Sequence, residues 1–105
     1  MLEIREVKDD KEKVSITDKI LHMLPKWFGI EGSIQEYVKM SEKLPYFAAY
    51  DNGEPIGFLA VKEHSEIHAE LCVMGILEDY HRQSIGRGLF NTFQNYCIDR
   101  GYKYI

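Results

Sequence analysis

The sequence predicts an α/β fold, α+β in some schemes, built on a mixed sheet with elements in the order β-α-α-β-β-β-α-β. Three observations carry that prediction. Leu2-Glu3-Ile4-Arg5-Glu6-Val7 alternates apolar and polar residues, the period of a half-buried strand. Two apolar runs, Tyr46 to Tyr50 and Ile56 to Val61, flank Asp51-Asn52-Gly53, which reads as a β-hairpin around a tight turn. An apolar segment, Ala69 to Leu77, then leads through a loop rich in small residues into a helical pattern that starts at Gly86.

Taken in order, the first strand places Leu2, Ile4 and Glu6 on one face. The charged stretch Lys8 to Lys13 is the solvated approach to a helix. Val14, Ile16, Ile20, Leu21 and Leu24 mark one side of that helix, and Pro25 ends it because its ring cannot continue the hydrogen-bond ladder. Pro25 to Gly32 is a connection. Ser33-Ile34-Gln35-Glu36 has the form of a capping box, so a second helix is expected from Ser33 to about Lys43, before Pro45. After the hairpin, the nearly continuous apolar run Ala69 to Leu77 suits a central strand covered on both faces, with Glu70 as its single charge. In the third helix Leu89, Phe90, Phe93, Tyr96 and Cys97 share a side, and Gly101 is placed to terminate it. Tyr102 to Ile105 begins a last strand, expected to lie parallel to strand 68–77 through a right-handed crossover. That strand stops after four residues, so the chain is expected to be one domain over residues 1–105 that forms the front part of a larger one.

Composition narrows the function. At 105 residues, with 45% hydrophobic and 29% charged side chains, the chain can bury a core and is too apolar for intrinsic disorder. Thirteen Lys and Arg against seventeen Asp and Glu give a net charge of −4, which lacks the basic footprint of a nucleic-acid binder. No apolar run approaches the roughly 18 residues that span a bilayer, and Met1 to Glu6 has no signal-peptide core. A cytoplasmic protein without nucleic-acid or membrane partners is expected. Cys72 and Cys97 are too few and too far apart for a disulfide framework or a zinc motif and read as packing thiols. His64 and His68 have a ligand-like spacing but no cysteine or acidic cluster nearby, so no metal is expected.

Chemistry concentrates between Tyr80 and Leu89. A strand, a small-residue loop and a helix N-terminus together form an anion site, because the first amides of a helix are unpaired and its dipole is positive there. Arg82 and Arg87 add full charges. This favours phosphate or pyrophosphate, yet neither Gly-x-x-x-x-Gly-Lys-[Ser/Thr] nor Gly-x-Gly-x-x-Gly is present. The plainer alternative is a helix start capped by Ser84 with the arginines in solvent.

The segment resembles the acyl-CoA loop of the GNAT N-acetyltransferase family, whose pattern is Arg/Gln-x-x-Gly-x-Gly/Ala. Gln83-Ser84-Ile85-Gly86-Arg87-Gly88 matches it literally, whereas the frame His81-Arg82-Gln83-Ser84-Ile85-Gly86 better fits the strand-to-helix spacing. In the second frame, which we prefer, His81 replaces the usual Arg or Gln and Ser84 the first glycine. The resemblance follows the whole chain in order. It implies that the backbone of Met74, Gly75 and Ile76 pairs with the pantetheine arm, and that amides from Arg82 to Arg87 hold the pyrophosphate. Gly75, without a side chain, suits close approach of a ligand.

By the same resemblance, Glu70 stands where some members carry a glutamate general base. A base is needed because an ammonium has no lone pair, and an apolar strand would raise the pKa of Glu70. The alternative is an outward Glu70 paired with a lysine. Trp27 and Phe28 lie where the family builds its acceptor pocket, and either shape that pocket or plug the core. Tyr80 either packs or contacts the acyl group. The implied function is acetyl-CoA-dependent N-acetyl transfer directly to a primary amine on a small molecule or peptide. The alternative is a non-catalytic CoA-binding or interaction module. The family's general acid, usually a tyrosine, falls in a C-terminal part beyond Ile105. An open edge at Tyr102 to Ile105 would let two copies pair as a homodimer.

Overall fold

In a computed structural model, residues 2–102 are described. Four antiparallel strands, β1 (Leu2–Glu6), β2 (Tyr46–Asp51), β3 (Glu54–Glu63) and β4 (Ala69–Ile76), lie side by side in chain order. The expected fifth strand, and the dimer edge it would offer, fall almost wholly outside the described residues.

Alternation along the strands builds two cores. Tyr46, Ala48, Tyr50, Phe58 and Ala60 face helices α1 (Asp10–His22) and α2 (Glu31–Ser41), where they meet Ile16, Ile20, Leu21, Ile34 and Val38. Phe47, Ala49, Leu59 and Val61 face helix α3 (Ile85–Arg100), where they meet Leu89, Phe93 and Cys97. Because both faces are covered, β2 and β3 read as continuous apolar runs instead of alternating ones. Their connection is the two-residue turn Asn52-Gly53, with φ of 50° and 87°. Positive φ at both positions matches the twist of the flanking strands, which is why an Asn-Gly pair occupies them.

The helix boundaries differ from expectation at two places. Helix α1 starts at Asp10, earlier than the apolar pattern suggests, since Asp9 caps it by accepting from the Lys11 amide and Asp10 and Glu12 complement the dipole. Lys13 is not solvated: it is 7% exposed and its ammonium donates to the Leu44 carbonyl at 2.8 Å. Helix α2 starts at Glu31, so Ser33 lies inside the first turn and the capping box does not form. Glu31 is drawn into the helix by other partners, accepting from Gln35 Nε2 at 2.6 Å and pairing with His22 Nε2 at 2.7 Å. Helix α3 ends as expected. Gly101 has φ 80°, and the Tyr102 amide returns to the Cys97 carbonyl at 2.9 Å, a Schellman closure.

Strand β4 departs further. Among the described residues it is the end of the sheet, the strand expected beside it falling outside them, and both of its faces are packed as its apolar run predicts. Its pairing with β3 jumps from Ala60↔Val73 to Val61↔Leu71, leaving Cys72 as an extra residue. Such a bulge re-aims the side chains beyond it. Val73 joins the α1/α2 core while Ala69, Leu71, Met74 and Ile76 pack toward α3. Alternation from Ala69 and Leu71 therefore puts Glu70 on the α1/α2 face, the face of Val73 and Gly75.

Candidate functional site

The chain leaves β4 through Leu77, makes a single 3-10 turn at Glu78–Tyr80, and reaches α3 by way of His81 to Ser84. Tyr80 fastens this turn to the sheet: its ring packs on the α3-side core and its hydroxyl donates to Asp51 Oδ2 at 2.6 Å. That bond raises the Tyr80 pKa and lowers that of Asp51. Tyr80 packs on the core and also lines the hollow beside the loop. Gln83 Nε2 braces the loop by donating to the Asp79 carbonyl at 3.3 Å.

Two non-glycine residues of the loop have left-handed backbone, Arg82 with φ 72° and Ser84 with φ 63°. Left-handed residues set among right-handed ones turn successive amides toward one concavity, which suits an anion. The conformation costs an L-residue roughly 1–2 kcal/mol, and strain of this kind concentrates at ligand sites. Ser84 occupies the N-cap position of α3, but its side chain makes no cap hydrogen bond. The reading of Ser84 as an ordinary capping serine is thereby corrected. The first carbonyl taken up in the helix is that of Ser84, bonded by the Gly88 amide at 3.0 Å. The amides of Ile85, Gly86 and Arg87 precede it and belong to the unpaired first turn.

These groups surround a hollow of about 380 Å³ lined by Ile76, Tyr80, His81, Arg82, Ser84, Ile85, Gly86 and Arg87. A methyl group on Gly86 would stand 3.2 Å from Ile76 Cδ1, so glycine lets the first turn of α3 close on β4. A second, apolar cleft of about 240 Å³ lies between β4 and the α1–α2 connection, bounded by Leu24, Trp27, Phe28, Met74, Gly75, Ile76 and His81. Ile76 and His81 belong to both, so the loop hollow and the apolar cleft adjoin along β4. His81 is the divider. Its Nε2 donates to the Ile76 carbonyl at 2.8 Å, and its ring meets Trp27 edge-on at 5.3 Å between centroids.

All ten residues expected to hold the acyl donor thus fall in one region, though Gln83 contributes as a brace and not as lining. Packing adds a second reason for Gly75. A Cβ there would meet Phe58 at 3.0 Å, Ile20 at 3.2 Å and Leu21 at 3.4 Å, a tight fit against α1 and β3. The aromatic pair divides. Phe28 is half-buried against the α1/α2 core and edge-on to Tyr37, whereas Trp27 is 53% exposed on the cleft wall.

Glu70 stands apart, lining neither hollow. Its carboxylate, half-exposed, lies 2.6 Å from His64 Nε2. The expected rise in its pKa is not found: the His64 hydrogen bond holds the carboxyl below the usual range, outweighing desolvation. The expected outward alternative named a lysine, and the partner is a histidine. His64 stacks on His68 with centroids 4.9 Å apart. Among the described residues no group of His, Cys, Asp or Glu is arranged to hold a metal.

Sequence reasoning missed Leu24 as a lining residue and His64 as the partner of Glu70. Leu24 was hidden because its spacing marks it only as core. His64 is brought to Glu70 by the β3–β4 turn, in which the His64 amide bonds the His68 carbonyl at 2.9 Å. Lys26 Nζ also reaches Glu78 at 3.3 Å, tying the α1–α2 connection to the turn after β4.

The family model for acetyltransferases of the GNAT type matches residues 14–105. No curated protein sequence matches the chain. Among solved structures, it is similar to the PaiA N-acetyltransferase of Thermoplasma acidophilum in complex with coenzyme A. The TM-score is 0.74 at 19% identity, over 96% of this chain and 74% of that one. An aminoglycoside 6'-N-acetyltransferase complexed with coenzyme A gives 0.75 at 22%, over 95% of this chain and 57% of the other. The ribosomal-protein-S18-alanine N-acetyltransferase of Escherichia coli gives 0.74 at 19%, over 96% and 62%. At these identities the likeness is one of fold. Among the described residues no helix is long and apolar enough to cross a membrane.

Proposed function

The chain belongs to the acetyltransferase (GNAT) family, and on that footing we propose that it transfers an acetyl group from acetyl-CoA to a primary amine. The observation that carries the reading is the pair of adjoining hollows. One is ringed by unpaired helix amides, left-handed backbone and two arginines, and the other is apolar. A pyrophosphate joined to an uncharged thioester arm has the same division of polarity. Acetyl-CoA supplies a thioester: the amine forms a C–N bond to its carbonyl carbon, the C–S bond breaks, and the sulfur leaves with the electron pair and takes up a proton.

The chain's own residues divide the work. Amides from Arg82 to Arg87, with the α3 dipole, receive the pyrophosphate. Met74, Gly75 and Ile76 present the edge of β4 to the arm, and His81 must release the Ile76 carbonyl for an arm to bond there. Trp27 and Phe28 form the acceptor wall. Glu70 accepts the ammonium proton through water, since it lies off the cleft; a carboxylate is already ionised at neutral pH, and the lowering of its pKa by His64 weakens it as a base. His64, 2.6 Å away, fixes its direction. The proposed location is the cytoplasm, in keeping with Cys72 and Cys97 as free thiols.

Calorimetric titration with acetyl-CoA, beside a variant carrying Arg82→Ala and Arg87→Ala, tests the reading. Saturable binding weakened at least tenfold in the variant is expected. A folded wild-type chain that binds no acetyl-CoA would overturn it and favour an interaction module. With binding established, Glu70→Gln is expected to lower turnover about a hundredfold while leaving donor binding intact.

A further inference from the structure

We propose that the outer edge of β1 is a self-complementary docking surface, on which a second copy of this chain lays its own β1 antiparallel to make one continuous sheet. The inference is independent of the acetyltransferase reading, since β1 and β4 are opposite ends of the described sheet. It also concerns the edge opposite to the one expected at Tyr102 to Ile105.

The backbone sets which groups are on offer. β1 pairs with β2 in unbroken register from Leu2↔Asp51 to Glu6↔Phe47, and the Val7 amide continues it by donating to the Tyr46 carbonyl at 2.8 Å. In an antiparallel pair, the residues that exchange both bonds recur at every second position. Val7, Arg5 and Glu3 therefore turn their amides and carbonyls to β2, whereas those of Glu6, Ile4 and Leu2 are directed to the outer edge.

Side chains then choose the register. Joined through those outward residues, two copies use the whole strand only when Ile4 lies opposite Ile4, with Leu2 opposite Glu6. That register sets Glu3 opposite Arg5 of the second copy, twice by symmetry, at the closely spaced position where opposite charges attract and like charges repel. A slip of two residues in one direction sets Glu3 against Glu3, and in the other Arg5 against Arg5. Charges on an edge strand ordinarily refuse partners; here they penalise the slipped registers and favour the full one. The charges are also free to regroup. The Glu3 and Arg5 side chains are 60% and 53% exposed and meet within the chain at 3.4 Å, while Arg5 lies 4.2 Å over the Tyr50 ring. Glu12, the other carboxylate beside Arg5, accepts from the Tyr50 hydroxyl. On the opposite face Leu2, 46% exposed, would be covered by the stem of Glu6 of the second copy. The contact is isologous, with its two-fold axis through Ile4, and it leaves the hollows beside β4 open at both ends of the doubled sheet.

Sedimentation equilibrium over about 10 μM to about 1 mM protein reads the association. The wild-type chain is expected to approach the dimer mass within that range, because strands of five residues bury less than a standard interface. Glu3→Arg and Arg5→Glu each set like charges opposite one another and should weaken self-association about tenfold or more. Mixed in equal amounts, the two variants carry complementary strands, so the mixture should dimerise as the wild type does while neither does alone. Leu2→Pro gives a check that leaves Arg5 on Tyr50: it removes an amide that β2 does not use, and should weaken association while circular dichroism still reports a folded chain. A wild type that stays monomeric throughout overturns the proposal. So does a dimer that the single reversals or Leu2→Pro leave intact, or a mixture of folded variants that stays monomeric. If Arg5→Glu does not fold, Glu3→Arg and Leu2→Pro decide by themselves.

Discussion

Removing the Thr17 hydroxyl tests how the helical layer is held over the sheet. Thr17 is fully buried, and its Oγ1 lies 2.8 Å from the Lys13 carbonyl, 3.1 Å from Ser41 Oγ and 2.8 Å from the Tyr46 hydroxyl. One oxygen therefore joins α1, α2 and β2 beneath the pair of helices whose connection carries Trp27. Tyr46 is also fully buried and stacks on Phe58 with ring planes 7° apart. Thr17→Val keeps the shape and leaves the Tyr46 hydroxyl without its bond, which costs about 1–3 kcal/mol. Tyr46→Phe leaves Thr17 with the Lys13 carbonyl and costs about 1 kcal/mol. In the double variant no hydroxyl is stranded, so its cost should fall short of the sum by about 1 kcal/mol or more. Urea unfolding of the four proteins measures that coupling. Costs that add to within about 0.5 kcal/mol, the range for independent sites, would refute the account of a shared network.

Three further outcomes follow from single positions. Ser84→Gly relieves the left-handed backbone without losing a cap bond, so thermal unfolding should show a gain of up to about 1 kcal/mol, with acetyl-CoA binding retained; a lowered Tm would contradict the strain. Gly75→Ala should cost about 1–2 kcal/mol in urea unfolding, as overpacking against Phe58, Ile20 and Leu21 outweighs the strand's preference for alanine. Normal stability with lost CoA binding would instead assign the glycine to ligand approach. His22 faces the Asp18 carbonyl with Nδ1 at 2.8 Å and Glu31 with Nε2 at 2.7 Å, so its ring offers a proton to both only as the imidazolium. Its folded pKa is raised above 6.5, chiefly by the Asp18 carbonyl. The stabilisation is full below 6.5 and is lost as pH rises through the folded value. NMR titration should place His22 above 6.5, and His22→Gln should flatten the pH dependence of stability near neutrality.

Much of the architecture was legible because it rests on local rules. The hairpin follows from Asn52-Gly53, the end of α3 from Gly101, and the loop at 81–87 from small residues between an apolar run and a helical one. The capping box at Ser33 failed because a motif states a local preference, while Glu31 found stronger partners in His22 and Gln35. Glu70 was legible as a lone charge on an apolar strand, but not the lowering of its pKa, since His64 reaches it only when the β3–β4 turn closes. The apolar run of β4 was legible as a strand covered on both faces, and residues of both cores pack on it.

By itself, then, the amino-acid order determined the described elements, their sequence along the chain and the small-residue, arginine-bearing loop before α3. Each depends on contacts a few residues long or on a repeating apolar spacing. Only the tertiary structure decided that the Cys72 bulge turns Glu70 to the α1/α2 face, that Gly75 also packs tightly on the core, and that His81 stands between the loop hollow and the apolar cleft. Those outcomes depend on distances between segments far apart in sequence, which packing of the two helical layers on the sheet sets and no local pattern encodes.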